Sequence, residues 1–245
     1  MSLLELPLDI GLTPEILMER MIYQPLLVGY LNPLAWMISK RDPGFRDELS
    51  KLDVVTCDGI AVRHAATRLC GYRPEIISLD WSGIARRYLE LFRERKYRIV
   101  LVGGHDGVAA RAADHLRSEW DGIRIVGAFE GYDEGPDRAS EWIAANHPDV
   151  VLAGMGMGQQ EPYLLQLRSR GWNGTGICVG AFLDRLSDPA VDYPSWSTRT
   201  NLRFAGNLAR RPAYYLKRYG LDYQPFLRAY IKARFARIDR TRHGG

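Results

Sequence analysis

Residues 52–60 read Leu52-Asp-Val-Val-Thr-Cys-Asp58-Gly59-Ile60 and are the most informative stretch of the chain. The β-branched run predicts a strand, which Asp58-Gly59 ends just before the helix-like segment 60–66. The carboxylate of Asp58 is therefore expected at the carboxyl end of a strand, where open α/β sheets bind their ligands. A general base would lie at such a position. The alternative is that Asp58 only caps the following helix, because Asp is a favoured N-cap residue.

The same alternation of strand and helix recurs along the chain. Further β-rich runs lie at 26–28, 98–102, 123–126, 150–153 and 176–179, and helical stretches near 43–51, 59–70, 80–96, 107–120, 136–146 and 159–170. This pattern predicts an α/β, Rossmann-like fold with a mainly parallel sheet and helices on both faces. We assign residues 1–195 to this core and 196–245 to a basic helical carboxyl-terminal appendage.

Charge is distributed unevenly in this chain of net charge +4. Residues 1–198 hold 21 Lys or Arg against 27 Asp or Glu, whereas residues 199–245 hold 12 against 2. Apolar residues recur at helical spacing among the basic ones, namely Phe226, Leu227, Tyr230, Ile231, Phe235 and Ile238. Such a helix is typical of one that lies on an anionic membrane surface. The alternative is a terminal helix docked on the body of the protein, with solvated arginines.

Several classes of protein are disfavoured by missing patterns. No RNP, zinc-finger or helix-turn-helix signature accompanies the basic charge, so nucleic acid is not an expected partner. The three cysteines form no CxxC pair, and no apolar run is long enough to span a bilayer. The amino-terminal stretch carries acidic residues where a signal peptide needs basic ones. These features predict a cytoplasmic protein. The five histidines lack zinc-site spacing, and no metal site is predicted.

A glycine pair follows the run at 98–102. Gly103 and Gly104 would let backbone amides approach a phosphate at the amino terminus of the next helix. This turn is a candidate seat for a pyrophosphate. The alternative is an ordinary tight turn.

Two later strand ends also carry polar residues. Gly154 and Gly156 precede Gln160 and Glu161, whose side chains could bind the hydroxyls of a sugar, although a Glu at a helix start is also ordinary capping chemistry. The Gly-x-Gly-x-Gly spacing does not match a dinucleotide-binding motif. The third strand end places Asp184 nearby as a further substrate-binding candidate.

Together these motifs resemble the WecG/TagA/CpsF glycosyltransferases, also called glycosyltransferase family 26. The resemblance runs from about residue 32 to residue 212. It rests on an ordered set: Asn32, Arg41-Asp42-Pro43, the 53–60 stretch, Leu101-Val-Gly-Gly104, Gly154-Met-Gly-Met-Gly-Gln-Gln160-Glu161 and Val179-Gly-Ala-Phe182. It implies inverting, metal-independent transfer of a hexose or N-acetylhexosamine from a UDP-sugar to a polyprenyl-diphosphate-linked saccharide. The expected setting is bacterial surface or exopolysaccharide assembly at the inner face of the plasma membrane.

The resemblance also implies roles for single residues. Asp58 falls on the proposed catalytic base, and Gly59 follows it in the same motif. Asn32, Gln160 and Glu161 are expected in the sugar and acceptor pocket. Basic residues of the appendage are expected at the donor diphosphate, with Arg203, Arg210 and Arg211 as candidates. No cofactor is expected.

This sequence departs from the family pattern at several positions. Tyr30 replaces a Thr, Glu75 lies near the position of an Arg, and Asn207 falls on another expected Arg. A catalytically inactive nucleotide-sugar-binding or membrane-surface module of the same fold is therefore a second hypothesis. A nucleotide-sugar oxidoreductase is a third, suggested by the glycine-rich strand ends alone. The sequence is compatible with a homo-oligomer.

Overall fold

A computed structural model of the chain describes residues 7–80, 83–188, 212–217 and 221–243. One sheet contains six parallel strands in the order β2-β1-β6-β5-β3-β4. These strands are β1 (Leu27–Leu31), β2 (Val54–Cys57), β3 (Arg98–Gly103), β4 (Arg124–Phe129), β5 (Val150–Gly154) and β6 (Thr175–Cys178). The predicted Rossmann-like sheet is confirmed, and its first strand extends to Leu31, three residues further than expected.

Helices connect and cover the strands. They are α1 (Pro14–Tyr23), α2 (Pro33–Arg41), α3 (Pro43–Lys51), α4 (Ile60–Ala65), α5 (Ala85–Glu94), α6 (Val108–Glu119), α7 (Gly135–Asn146), α8 (Gln160–Ser169), α9 (Phe182–Ser187), α10 (Pro212–Lys217) and α11 (Gln224–His243). A π-helical turn, Ala66–Cys70, continues α4.

Three of these helices, α1, α2 and α9, were not predicted from sequence. Both α1 and α2 begin with a side-chain N-cap followed by proline, at Thr13-Pro14 and Asn32-Pro33. That pair is a recognised helix start, so a signal for these two was present. The six residues of α9 are too few to show a helical period.

The helices form a layer on each face of the sheet. Contacts join α6 with α9, and join α8 with α3 and α7. The β3–α6–β4 connection runs across the sheet in one direction, whereas β5–α8–β6 runs in the other. Because such connections are right-handed, α6 and α8 lie on opposite faces. The predicted coverage of both faces is confirmed, and central strands β3 and β5 are buried between the layers.

The strand order creates a switch point between β3 and β5. Their following connections leave in opposite directions, which opens a crevice outside the carboxyl ends of these two strands. Strand β2, which precedes Asp58, lies four strand spacings from β3 at the far edge of the sheet. At about 4.8 Å per spacing, the ends of β2 and β3 are about 19 Å apart.

The terminal helix α11 docks on the body of the protein. Phe226 is buried, and its ring packs edge-on against Trp36 of α2 with the ring centroids 5.4 Å apart. The Tyr230 hydroxyl lies 3.0 Å from Nε2 of His64 in α4.

The predicted boundary between residues 195 and 196 lies outside the described residues. Among the helices that the structure describes, none is long and apolar enough to cross a bilayer.

Asp53 lies at the amino-terminal end of β2, opposite Asp58, and its hydrogen bond to β1 allows the stability of the sheet to be tested. Its Oδ2 atom accepts a 2.7 Å hydrogen bond from the buried Leu27 amide and lies 3.3 Å from Nη1 of Arg168. Asp53→Ala should lower the free energy of unfolding by about 2 kcal/mol, because it leaves a buried amide without an acceptor. Urea denaturation measures the change.

Asp114→Ala is the matched control. Asp114 forms an exposed ion pair with Arg117, 2.9 Å away in the same helix, and such pairs contribute at most about 1 kcal/mol. A change for Asp53→Ala no larger than that of Asp114→Ala would show that the Asp53 contact does not stabilise the sheet.

Candidate active site

Asp58 lies immediately after β2, and other strand-end residues hold it in place. Its amide donates to the carbonyl of Leu31 at 2.9 Å, which extends the β1–β2 pairing by one bond. Gly59 is the N-cap of α4, has a φ of 93° that favours glycine, and makes no side-chain capping bond. Asp58 is therefore not the N-cap of α4, and its half-buried carboxylate instead accepts from two side chains. The capping alternative was wrong.

The first of these donors is Asn32, which also caps α2. Its Oδ1 atom accepts from the amides of Leu34 and Ala35, each at 3.0 Å. These two amides fix the orientation of the side-chain amide, because an oxygen must face them. The Nδ2 group then donates to Oδ2 of Asp58 at 3.2 Å. Asn32, predicted as a pocket residue, is thus in contact with the predicted base.

The second donor is Ser78, which the sequence analysis did not find. Its hydroxyl donates to Oδ1 of Asp58 at 2.7 Å. The one sequence signal was a short apolar run, Ile76-Ile77, that ends at this serine. The run pairs with the chain near Asp58 through a single bridge between Cys57 and Ile76, too short a strand for periodicity to reveal.

Two titratable neighbours of Asp58 are kept in their neutral forms. Burial, followed by the nearby Asp58 charge, raises the pKa of the Cys57 thiol to about 12. Burial also raises the pKa of the Tyr30 hydroxyl well above its usual range. Neither group can compete with Asp58 as a base at neutral pH. Tyr30, one of the departures from the family pattern, therefore places a buried neutral phenol in β1, two residues before Asn32.

The glycine pair at the end of β3 brings two backbones close together. A Cβ on Gly103 would lie 2.5 Å from the carbonyl oxygen of Gly154 on β5. The Gly104 amide donates to that same oxygen at 3.1 Å, and the Gly104 carbonyl accepts from Gly131 at 2.9 Å. Both glycines are buried at the switch point. The Gly104 amide, predicted near a phosphate, therefore has a protein acceptor in the structure.

Gln160 and Glu161, at the start of α8, turn inwards and connect two loops. Glu161 accepts from the Gly158 amide at 2.7 Å and from Nε2 of Gln160 at 3.1 Å. Oε1 of Gln160 accepts from the Gly180 amide at 3.0 Å. Gln160 and Glu161 are 1% and 0% exposed, and burial raises the pKa of Glu161 despite its two hydrogen bonds. These contacts brace the loops after β5 and β6. The sequence analysis suggested that both side chains bind the hydroxyls of a sugar, and that role stays a prediction.

The remaining predicted residues occupy different positions. Gly154 ends β5, and the half-buried Gly156 follows in the braced loop. Asp184 is half-buried in the first turn of α9. Glu75 is exposed. The arginine candidates and one family departure lie outside the described residues, namely Arg203, Arg210, Arg211 and Asn207.

The arrangement suits proton abstraction. A carboxylate has about four acceptor positions, and the two donors to Asp58 occupy one on each oxygen. Among the described residues, no further donor occupies the other positions, which leaves them for a substrate hydroxyl at the carboxyl edge of the sheet. Within the described ranges, no three His, Cys, Asp or Glu side chains cluster as metal ligands would.

Asn32 allows stability and site geometry to be separated. Asn32→Ala should cost about 1 kcal/mol of unfolding free energy through the lost N-cap. It should also lower the rate of the sugar transfer expected from the resemblance, because Asp58 loses a donor. Urea denaturation and a steady-state transfer assay measure the two effects.

Asp42→Ala is the matched control. Asp42 caps α3 in the same way, with Oδ1 accepting from Gly44 at 2.8 Å and from Phe45 at 3.3 Å. It should lose similar stability and keep its rate. Equal transfer rates in the two variants would show that the hydrogen bond from Asn32 to Asp58 does not affect the reaction.

Comparison with known proteins identifies the family of the chain. Residues 1–240 match the glycosyl transferase WecG/TagA/CpsF family. A UDP-Gal:alpha-D-GlcNAc-diphosphoundecaprenol beta-1,4-galactosyltransferase from Shigella boydii is 24% identical over 231 residues, covering 92% of this chain and 94% of that protein. An N-acetylglucosaminyldiphosphoundecaprenol N-acetyl-beta-D-mannosaminyltransferase from Bacillus subtilis (strain 168) is 25% identical over 194 residues, covering 76% and 72%. The chain belongs to the WecG/TagA/CpsF family of glycosyltransferases.

Proposed function

We propose that this glycosyltransferase moves a hexose or N-acetylhexosamine from a UDP-sugar to a polyprenyl-diphosphate-linked saccharide, with Asp58 as the general base. The observation that supports it most is the carboxylate of Asp58, held by Asn32 and Ser78 at the carboxyl edge of the sheet. The acceptor class comes from the names of the two relatives, since both act on a sugar linked to diphosphoundecaprenol.

The proposed reaction is a single displacement. The acceptor hydroxyl attacks the anomeric carbon while its proton passes to Asp58. The bond from that carbon to the β-phosphate oxygen breaks, and UDP leaves with the bonding electron pair. Attack from the side opposite UDP inverts the anomeric configuration. Without a metal, backbone amides and cationic side chains would stabilise the charge on the leaving diphosphate.

The strand order supports a donor that lies along the carboxyl edge. The switch-point crevice, between Gly154 of β5 and Gly103 of β3, is about 14 to 19 Å from the end of β2, so Asp58 and this crevice cannot contact the same phosphate. We place the nucleotide towards the crevice and the transferred sugar towards Asp58 and Gly59. Arg203, Arg210 and Arg211 remain candidates for the diphosphate.

Helix α11 supports a membrane-bound setting. One side of it, with Phe226 and Tyr230, contacts the elements that follow Asn32 and Asp58. The other side exposes Leu227, Ile231 and Phe235, at 54%, 44% and 63%. Basic residues lie between these apolar side chains, including the exposed Arg228 and Lys232. We infer that this surface rests on the anionic inner leaflet and brings the site to a lipid-linked acceptor.

Substitution of Asp58 tests the chemistry. Asp58→Asn removes the base without changing the size of the side chain, so transfer should fall by about 10²- to 10⁴-fold. UDP release is followed with a panel that includes UDP-galactose, and GlcNAc-diphosphoundecaprenol serves as acceptor. Calorimetry should show that UDP still binds.

Asp53→Asn is the control from the other end of the same strand. It keeps an oxygen for the Leu27 amide and should transfer at the unsubstituted rate. A near-normal rate for Asp58→Asn would refute the assignment of the base. UDP binding without turnover on any donor in the unsubstituted chain would instead favour the inactive module.

The membrane surface has its own test. Replacing Leu227, Ile231 and Phe235 together with Ser should weaken binding to anionic liposomes at least about tenfold, because each buried apolar side chain contributes about 1.5–3 kcal/mol. Cosedimentation measures the binding. The control replaces Ile10, Ile16 and Tyr23, which are exposed near the amino terminus. Equal binding by the two triple variants would mean that α11 is not the membrane contact.

A further inference from the structure

We propose that Ser78 is a positioning residue that fixes the orientation of the Asp58 carboxylate for catalysis. The inference rests on the role of Asp58 proposed above. Ser78 is 4% exposed, and its hydroxyl donates to Oδ1 of Asp58 at 2.7 Å. That length is typical of a strong hydrogen bond from a hydroxyl to a carboxylate.

The chain before Ser78 is attached to the end of β2. The amide of Ile77 donates to the carbonyl of Cys57 at 2.9 Å. The carbonyl of Ile77 accepts from the hydroxyl of Thr56 at 3.0 Å. Ile77 is thus hydrogen-bonded on both sides of its backbone to the strand that precedes Asp58, and Ser78 follows it directly. The Ser78 hydroxyl therefore has a fixed position relative to the carboxylate.

The chain after Ser78 is closed by a turn at the start of α5. The carbonyl of Ser78 accepts from the amides of Asp80 and Ile84, both at 3.1 Å. Gly83 lies against this carbonyl, and a Cβ there would overlap the Ser78 oxygen. The backbone of Ser78 is therefore constrained on both sides, as expected for a hydrogen-bond donor whose position must stay fixed during the reaction.

Two donors restrict the carboxylate more than one would. Rotation about the last bond of an Asp side chain has broad preferences, so a single hydrogen bond leaves the carboxylate plane poorly fixed. Asn32 contacts Oδ2 and Ser78 contacts Oδ1, which together define the plane. Misplacement of a reacting group by about 1 Å can lower a rate about 10²-fold. Both side chains contact Asp58, but Asn32 also caps a helix, whereas the hydrogen bond of the Ser78 hydroxyl among the described residues goes to Asp58.

Ser78→Ala tests the proposal. We expect kcat to fall about 10- to 100-fold while KM for donor and acceptor stays unchanged, because the hydroxyl would act through Asp58 and not on a substrate. Ser78→Thr, which keeps a hydroxyl, should recover most of the rate. Ser140→Ala is the matched control, since Ser140 is 3% exposed and its hydroxyl donates at 2.8 Å to the carbonyl of Pro136 in α7. An unchanged kcat for Ser78→Ala would overturn the proposal.

A double-mutant cycle separates positioning from a general structural effect. In the Asp58→Asn background, Ser78→Ala should cause little further loss of the residual rate. An equal loss in both backgrounds would assign Ser78 a structural role and overturn the proposal.

A crystal structure of Ser78→Ala gives a readout that does not depend on activity. We expect the Asp58 carboxylate to rotate or to occupy two orientations. A single unchanged orientation would overturn the inference about Ser78, whereas a fully active Asp58→Asn variant would refute the proposed function itself.

Discussion

The parallel register of β1 and β2 determines the geometry of the site. Leu31 pairs with Cys57, so the next residue on each strand, Asn32 and Asp58, emerges at the same edge and the same height. A shift of one residue would direct each side chain to the opposite face of the sheet. The hydrogen bond between these two side chains therefore depends on the pairing of the whole strands. The buried core stabilises that pairing and, through it, the position of the Asp58 carboxylate.

The other loops at this edge are stabilised by contacts within the protein. Gly103 allows the backbones after β3 and β5 to approach, and Gln160 with Glu161 braces the loops after β5 and β6. Several polar groups at this edge are thus already paired. Such pairing limits rearrangement of the loops, which suits a site that must hold two substrates in a defined relative position.

Sequence alone predicted the sheet, the strand-end position of Asp58 and, through the family resemblance, the proximity of Asn32. It did not predict Ser78, which lies twenty residues after its partner Asp58 in the sequence. A single isolated bridge brings the two residues together, and one bridge leaves no periodic pattern in the sequence. For Gln160 and Glu161 the sequence showed polar side chains at a strand end. It could not show whether they face the open edge or turn back to neighbouring amides. That depends on where the β6 loop lies, which is a tertiary property.

Asn32 links the order of one helical turn to the chemistry of the site. The same side chain caps the first turn of α2 and donates to Asp58. Local opening of a helix end requires less free energy than unfolding of the whole fold. Any fraying of this turn would release the side chain and free the carboxylate. The temperature at which the enzyme loses activity would then follow the local melting of α2 and lie below that of global unfolding.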